Sequence, residues 1–253
     1  MQIAVCLKQV PTRDWQPRLN EARTWIRDQE TTYEMNEPDA YALEEGLRLK
    51  EKQGGEVIVC AAGPSRVGQV LREALARGAD RAIHVEDDRL AAADASVVAA
   101  ALAAGMQGEA LDLILAGLQS DDQGFAQTGV ILAERLGLPH ATIIMDVQLE
   151  GRTLRVKREL EGGWFQWVAM PLPAVLTIQS GINQLRYATL KGIMAAKKKP
   201  TRTVAPTVSG SPRQTIVRLS VPEKAKKTEL ISGSAQDAAK ELIRRLREDA
   251  RVI

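Results

Sequence analysis

The sequence is poor in the residue types that most catalytic and metal sites need. Its 253 residues include two histidines, two cysteines and 4% aromatic side chains. His84 lies inside a strand-like run and His140 follows Pro139, without the serine, cysteine or carboxylate pattern of a catalytic triad or a metal site. Cys6 and Cys60 lack the CxxC spacing of redox and zinc sites. We expect all four to be structural, and we predict no catalytic residue and no metal.

Charge and hydropathy argue against a nucleic-acid-binding protein and against a membrane protein. Lys and Arg number 34 against 32 Asp and Glu, a net charge of +2, whereas a nucleic-acid-binding protein usually has a large basic excess. The longest apolar runs, such as residues 97–104, are shorter than the roughly 20 residues of a membrane span, and the N-terminus shows no signal-peptide pattern. We expect a cytosolic protein that neither inserts into a membrane nor binds nucleic acid.

Strand and helix signals alternate over the first two-thirds of the chain. Apolar, β-branched runs typical of buried parallel strands occupy residues 2–10, 56–61, 81–85 and 111–116. Helical patterns cover residues 65–78, 91–106 and a stretch that begins after Asn36 and ends at Gly54. Asn36 is the predicted N-cap of that stretch, with Pro38 and Asp39 in its first turn. This order predicts an α/β fold with a doubly wound, mostly parallel, Rossmann-like sheet.

The pattern changes after Ala141. Four strand-like segments separated by Gly or Pro, residues 143–150, 151–160, 162–170 and 173–180, predict an antiparallel β meander. We interpret Trp164 and Trp167 as packing residues of this meander rather than as a pair that stacks on a flavin. From Lys197 onward Pro, Thr, Ser and Lys dominate, which predicts an extended C-terminal arm.

Three loops follow strands of the predicted sheet, where open α/β sheets bind ligands. They read CLKQVPTRD, CAAGPSR and, over residues 116–137, AGLQSDDQGFAQTGVILAERLG. The third places Gln127, Thr128 and Gly129 at a helix N-terminus, where backbone N–H groups and the helix dipole favour a phosphate. In the alternative, Asp121 or Asp122 caps the helix of an ordinary loop. Neither GxGxxG nor GxxxxGK[ST] is present, so the pattern alone leaves both open.

Several longer motifs resemble one family over at least residues 1–200. They are AVCLKQVP, MNEPDAYALEEGLRLKE, ALARGADRAIHV, GLQSDDQGFAQTG, LPAVLT and the two most specific, VKRELEGG and RYATLKGIMAAKKK. The sequence resembles the beta subunit of electron-transfer flavoprotein, whose fold is similar to that of adenine nucleotide alpha hydrolases. The resemblance implies an electron carrier without its own turnover site, in a heterodimer with an FAD-bearing alpha subunit. It would be cytoplasmic in a bacterium and lie in the mitochondrial matrix in a eukaryote.

The resemblance also implies partners and a ligand. Flavin dehydrogenases, such as the acyl-CoA dehydrogenases of fatty acid oxidation, would supply electrons, and a membrane quinone oxidoreductase would receive them. This subunit would hold one AMP without a redox role, while the FAD lies mainly on the alpha subunit. The phosphate would meet the amides around Ala126, Gln127 and Thr128. By position, the AMP-binding residues are Cys6, Asn36, Glu37, Pro38, Asp39, Ala62, Gly117, Gln119, Asp122, Gly124, Phe125, Ala126, Gln127 and Thr128.

A second type of family member leaves an alternative for the ligand. These subunits bifurcate electrons, bind a second FAD in place of AMP and work with NADH, and their third-loop sequence is close to DGDTAQVG. Residues 122–129 here read DQGFAQTG. An acidic residue and a threonine are lost and a bulky Phe125 is present, which favours AMP, although Cys6 stands where a small alanine is common.

Residues 186–200, RYATLKGIMAAKKKP, match the partner-recognition loop of the family. The resemblance implies that Leu190 anchors in an apolar pocket of the dehydrogenase, flanked by Ile193 and Met194. The cations that would steer encounter with acidic partners are Lys191, Lys197, Lys198 and Lys199. Without the resemblance, the pattern also fits a short amphipathic helix packed on its own sheet and followed by a solvated basic run.

These interpretations divide the chain into three parts. Residues 1–185 form the predicted nucleotide-binding domain, 186–200 the recognition loop and 201–253 the arm with a terminal helix. Two other functions use the same features. An adenine-nucleotide hydrolase or ligase of similar architecture would need a glycine-rich phosphate motif and a catalytic base, and the sequence offers neither. A nucleic-acid site would use the lysine run, but no basic stripe extends beyond it.

Overall fold

The computed structural model describes residues 1–14, 16–205, 211–222 and 228–253. They form two compact units, Met1–Leu219 and Ser220–Ile253. The arm predicted over residues 201–253 includes 206–210 and 223–227, which lie outside the described residues, and the three-part division stays a prediction. In the described parts of the chain, no helix combines the length and the apolar content that a membrane span requires.

A nine-stranded sheet organises the first unit. Its strands are β1 (Gln2–Cys6), β4 (Glu56–Gly63), β5 (Arg81–Glu86), β6 (Leu113–Gly117), β7 (His140–Glu150), β8 (Thr153–Glu159), β9 (Phe165–Pro171), β10 (Ala174–Ile178) and β11 (Thr201–Val204), while β2 (Gln9–Pro11) and β3 (Tyr33–Met35) form a separate antiparallel pair. The order across the sheet is β11-β5-β4-β1-β6-β10-β7-β8-β9. Pairing is parallel from β11 to β7 and antiparallel from β7 to β9. The predicted doubly wound, mostly parallel sheet is confirmed.

Helices cover both faces of the parallel part. On one face, α1 (Glu37–Gln53) and α2 (Gly68–Arg77) pack on side chains such as Ile3 and Val5; on the other, α3 (Ala95–Gly105) and α4 (Thr128–Leu136) pack on Ala4 and Ile114. This alternation along β1 follows from the two-residue period of a strand. Two further helices are α5 (Leu190–Ala196) in the first unit and α6 (Ala235–Glu248) in the second. The predicted start of α1 after Asn36 and its end at Gly54 are confirmed.

Cys6 and Cys60 are buried neighbours in this core. They are in register on β1 and β4, and both are free thiols. Burial raises the pKa of Cys60 to about 12 and that of Cys6 well above its usual value. Their prediction as small core residues is confirmed.

Two strand predictions need correction. The first predicted strand, residues 2–10, is divided, because β1 ends at Cys6 and β2 belongs to the separate pair. The fourth segment of the predicted meander, β10, lies between β6 and β7 and is parallel to both. All residues of β10 are buried, as in a central parallel strand, whereas exposed and buried residues alternate at the start of β8.

Trp164 and Trp167 are not packing residues, contrary to the sequence-based interpretation. Their exposed fractions are 74% and 41%. Strand alternation turns Leu154, Val156 and Met170 inward and leaves Phe165 and Trp167 on the outer face, whereas Trp164 lies in the turn before β9. Arg155 lies 4.4 Å from the ring centroid of Trp167, and Lys157 lies 4.0 Å from that of Phe165. The strands β8 and β9 therefore present an exposed aromatic and cationic surface.

Candidate functional site

One cavity lies beyond the carboxyl ends of β1, β4 and β6. The strand order reverses between β1 and β6, because the chain leaves β1 for α1 on one face and leaves β6 for α4 on the other. Loops that diverge in this way leave a crevice, the usual ligand position of an open α/β sheet. The cavity is lined by the three loops selected from the sequence, over residues 6–9, 62–67 and 116–129.

The structure brings most of the predicted AMP-binding residues to this cavity. The lining includes Cys6, Asn36, Asp39, Ala62, Gly117, Gln119, Asp122, Phe125, Ala126, Gln127 and Thr128. Glu37, Pro38 and Gly124 are outside it; Glu37 instead pairs with Arg13. Sequence reasoning missed several other lining residues that come from the β2–β3 region, the turn after β5 and α3, where no ligand motif marks them: Trp25, Tyr33, Leu90, Val98 and Leu102. Arg66 also lines the cavity; it ends the second selected loop but was not among the predicted binding residues.

The buried carboxylate of Asp39 joins the ends of β1 and β6. Its Oδ2 accepts a hydrogen bond from the backbone N–H of Lys8 at 2.7 Å, and its Oδ1 accepts one from Gly117 at 2.9 Å. Burial raises the pKa of Asp39 to about 7, although these hydrogen bonds act in the opposite direction. A Cβ on Gly117 would lie 2.3 Å from Asp39 Oδ1. The contact therefore requires glycine at position 117.

Asn36 binds the loop after β6 to the start of α1. It occupies the predicted N-cap position, but among the described contacts its side chain makes no capping hydrogen bond. Instead Nδ2 donates to the carbonyl of Gln119 at 3.0 Å, and Oδ1 accepts from the N–H of Asp121 at 2.9 Å. Only 1% of the residue is exposed. A primary amide supplies the donor and the acceptor together, so asparagine suits this position.

Lys8 holds the same loop from the end of β1. Its Nζ lies 2.6 Å from Asp122 Oδ1, 3.0 Å from Gln123 Oε1 and 3.1 Å from Ser120 Oγ. Asp121 accepts instead from the backbone of Glu37. Neither aspartate caps α4, so the alternative that assigned one of them to the helix cap is wrong.

The N-terminus of α4 opens on the cavity. Gln127 occupies its N-cap position and, within the described residues, no side chain caps the helix. Gln127, Thr128 and Gly129 line the cavity, and Ala126 adopts a left-handed conformation with φ of 54°. A non-glycine residue in that conformation is strained, and such strain is concentrated at functional sites. Amides and a helix dipole of this kind favour an anion.

The cavity wall contains a second donor that suits a polar ligand. Trp25 Nε1 is buried and has no hydrogen-bond partner among the described residues. The cavity wall also has an apolar part, which is formed by Leu90, Val98 and Leu102. A flat, largely apolar ring with an attached anion, as in a mononucleotide, fits this combination of groups. The described residues contain no group of three or more His, Cys, Asp or Glu side chains that could hold a metal ion.

His84 and His140 are outside the cavity lining. His84 is buried in β5, with Nε2 3.2 Å from the carbonyl oxygen of Gly63, and His140 begins β7 at an exposed position. Burial and this backbone contact agree with a structural role for His84.

The predicted recognition residues lie on α5, away from the cavity. Leu190, Ile193 and Met194 are exposed, Leu190 by 78%, and Ala196 is the one buried residue of the helix. The alternative in which the apolar side chains pack on the sheet is therefore wrong. Lys197 and Lys198 are exposed, but Lys199 donates to the carbonyls of Leu75 and Ala79 at 2.9 and 2.5 Å. The expectation that Lys199 presents its charge to a partner needs correction.

Comparisons with known proteins agree on one family. Residues 24–209 match the family model described as electron transfer flavoprotein domain. Electron transfer flavoprotein subunit beta from Methylophilus methylotrophus is 37% identical over 98% of each chain. The protein of the same name from Homo sapiens is 35% identical over 100% of this chain and 99% of its own. The caffeyl-CoA reductase-Etf complex subunit CarD from Acetobacterium woodii is 34% identical over 98% of both chains.

The raised pKa of Asp39 predicts a pH-dependent contribution to stability. Because its folded-state pKa of about 7 lies above the ordinary value of 3.8, the folded state holds the proton more tightly. The contribution is fully present below about pH 4 and is lost as the pH rises through about 7. Asp39→Asn cannot titrate, so thermal unfolding should show the melting temperature of the unmodified protein falling relative to the variant between pH 5 and pH 8. A difference that is constant with pH would contradict the assignment.

Proposed function

The chain belongs to the electron transfer flavoprotein family, as a beta subunit, and we propose that its cavity holds one AMP as a structural ligand. The observation that carries this proposal is the N-terminus of α4, which opens on a cavity at the reversal of strand order. The phosphate binds the amides around Ala126, Gln127 and Thr128. The adenine lies against Ala62, Gly117 and the neighbouring backbone, where the absence of large side chains leaves room for a ring.

Phe125 supports a mononucleotide rather than a second FAD. It lines the cavity on the loop that Asn36 and Lys8 hold in place. Phe125 is 45% exposed, and the bifurcating type has the smaller threonine at this position of the loop. The alternative is a bifurcating-type subunit with a second FAD and an NADH site, and the composition of the released nucleotides decides between them.

A beta subunit of this family implies an alpha-subunit partner. We propose that the alpha subunit holds most of the FAD, and that the chain contributes no turnover site of its own. The exposed aromatic side chains of Trp164, Phe165 and Trp167 support a heterodimer, because a surface of this kind is typical of a protein interface. The complex carries electrons from flavin dehydrogenases, such as acyl-CoA dehydrogenases, to a membrane quinone oxidoreductase.

The exposed apolar side chains of α5 support a docking role for residues 186–200. Leu190 projects as the anchor, with Ile193 and Met194 beside it, and a single buried anchor of this size provides much of the affinity of a small interface. Lys191, Lys197 and Lys198 surround it with exposed positive charge, which accelerates encounter with an acidic partner.

Denaturation of the purified heterodimer should release one AMP and one FAD. The proposed anion site at α4 holds the AMP, and the FAD comes from the alpha subunit. Mass spectrometry of the released nucleotides, quantified against protein, measures both. Two FAD and no AMP per heterodimer would contradict the proposal and support the bifurcating alternative. A steady release of ADP or AMP from added ATP would instead support a hydrolase.

Leu190→Ala should weaken docking of the dehydrogenase without weakening the fold. Burial of a leucine contributes about 1.5–3 kcal/mol, so the affinity should fall by about tenfold to a hundredfold. Electron transfer from reduced dehydrogenase, measured at several dehydrogenase concentrations, gives the change in affinity. The melting temperature and nucleotide content should stay the same, since the side chain is exposed. A lower melting temperature with intact electron transfer would show that Leu190 is a structural residue.

The exposed lysines should act on the rate of association, whereas Leu190 acts on the affinity. Lys197→Gln and Lys198→Gln should slow association mainly at low salt, because screening weakens long-range attraction. Stopped-flow mixing at several salt concentrations measures the rate. A rate that is the same as in the unmodified protein at every salt concentration would exclude steering by these lysines.

A further inference from the structure

The segment that carries α5 is fastened to the first unit before and after the helix. On the N-terminal side, Arg186 faces two glutamates of α1. Its Nε and Nη2 donate to the two carboxylate oxygens of Glu44 at 2.8 and 3.0 Å, and its Nη1 and Nη2 donate to those of Glu51 at 2.6 and 3.2 Å. Glu44 and Glu51 are seven residues apart, two helical turns, and therefore lie on one face of α1. One planar guanidinium thus bridges two carboxylates, an arrangement that lysine does not reproduce.

Glu44 is buried, so it depends on its contact with Arg186 more than an exposed carboxylate would. Its side chain is 5% exposed, and Arg48 donates to the same carboxylate at 3.0 Å. Burial raises the pKa of Glu44, but the hydrogen bonds from Arg186 and Arg48 hold this pKa below its usual value. Loss of one of its cations would leave this buried carboxylate partly unpaired and would destabilise the fold. The contact therefore fixes the position of Arg186 relative to α1.

The residues before Arg186 add further bonds to α1. Asn183 Nδ2 donates to Glu45 Oε2 at 3.1 Å and to the carbonyl of Tyr41 at 3.2 Å, and Arg48 donates to the carbonyl of Gln184 at 3.3 Å. Contacts of residues 183–186 therefore run along α1 from Tyr41 to Glu51. The entry to α5 is fixed along more than two turns of helix.

On the C-terminal side, Lys199 fastens the segment to the end of α2. Its Nζ bonds to the carbonyls of Leu75 and Ala79, at the negative end of that helix. Burial lowers the pKa of Lys199. Between the two attachments, Gly192 lies directly on the last turn of α2: a Cβ there would lie 2.2 Å from the carbonyl oxygen of Ala76. The backbone of α5 thus approaches α2 as closely as glycine allows.

We propose that Arg186 and Lys199 are positioning residues for docking, which hold α5 in its binding conformation before the partner dehydrogenase arrives. This inference rests on the proposed docking role of Leu190. A helix of seven residues is not stable in isolation, so the direction of its exposed side chains depends on these attachments. A preformed element avoids the entropy cost of ordering during association. If the attachments are removed, fewer molecules keep the binding conformation. The apparent affinity then falls in proportion to the fraction that does.

The test measures affinity and local motion separately, in the complete heterodimer. Arg186→Gln and Lys199→Met should each raise the apparent KM for reduced dehydrogenase by about tenfold, while the limiting rate of electron transfer changes by less than about twofold. Hydrogen exchange of residues 187–198 should accelerate by about tenfold. Arg186→Lys keeps the charge but not the paired geometry, so it should restore only part of the affinity.

Two further variants make the result interpretable. Glu51→Gln removes one carboxylate from Arg186 at a largely exposed position, so it should raise KM by about threefold with the heterodimer intact, and it carries the test if the Arg186 variants do not fold. Arg18→Gln breaks an exposed pair with Glu30 elsewhere on the surface and is the matched control, for which KM and exchange of residues 187–198 should not change.

Two outcomes overturn the proposal in different ways. If Leu190→Ala raises KM but Arg186→Gln, Lys199→Met and Glu51→Gln leave KM and hydrogen exchange unchanged, docking stands and the positioning role is wrong. If Leu190→Ala itself leaves KM unchanged, the docking function is wrong and the positioning role with it. A fall in the limiting rate of all variants with no change in KM would also contradict positioning, because a preformed docking element acts on affinity.

Discussion

The hydrogen bonds of Asp39 join the ends of two neighbouring strands whose following connections go to opposite faces of the sheet. After β1 the chain turns to one face of the sheet, and after β6 it turns to the other. One buried carboxylate accepts the N–H of Lys8 from the first strand end and that of Gly117 from the second. The cavity exists because the connections after these paired strands diverge, and Asp39 fixes the backbone at the point where they begin to do so. Asn36 and Lys8 then position the loop relative to these fixed ends.

The helix α1 connects this cavity to the proposed docking segment. Its 17 residues span about 25 Å, with Asn36 and Asp39 at the cavity and Glu44, Glu45 and Glu51 toward the other end. Glu44 and Glu45 are largely buried, and buried carboxylates need partners. Arg48 of α1 supplies one partner of Glu44, and residues 183–186 supply the others. The proposed docking segment therefore satisfies polar groups that α1 would otherwise bury at a cost. Contacts with α1 thus make the proposed docking segment a fixed part of the first unit.

The predictions that succeeded depend on local signals, and those that failed depend on distant contacts. The start of α1 after Asn36, its end at Gly54 and the three loops of the cavity follow from caps, glycines and strand runs that a short window contains. The position of β10 between β6 and β7 depends on pairing with strands about 35 to 60 residues earlier, which periodicity does not encode. The prediction that Trp167 packs in the core failed for a related reason. Alternation separates the two faces of a strand, but it does not say which face other elements cover.

The side-chain roles of Asn36 and Lys199 also depend on contacts that are distant in the sequence. Asn36 has the sequence signature of a helix cap, yet its partners, Gln119 and Asp121, lie more than 80 residues away. Lys199 ends a run of exposed lysines, yet it bonds to carbonyls of α2 more than 100 residues earlier. A short polar side chain near a helix end and a lysine in a basic run each have several local roles, and the tertiary fold selects among them.

The side chains of Asn36 and Lys8 hold the loop after β6, and this bears on the role of the proposed AMP. A ligand that enters a loop already fixed by protein contacts loses little affinity to ordering of that loop. Under the proposed function, the binding free energy of AMP is therefore available to stabilise the folded state by mass action. That is the behaviour required of a nucleotide that takes no part in electron transfer and serves as a component of the fold.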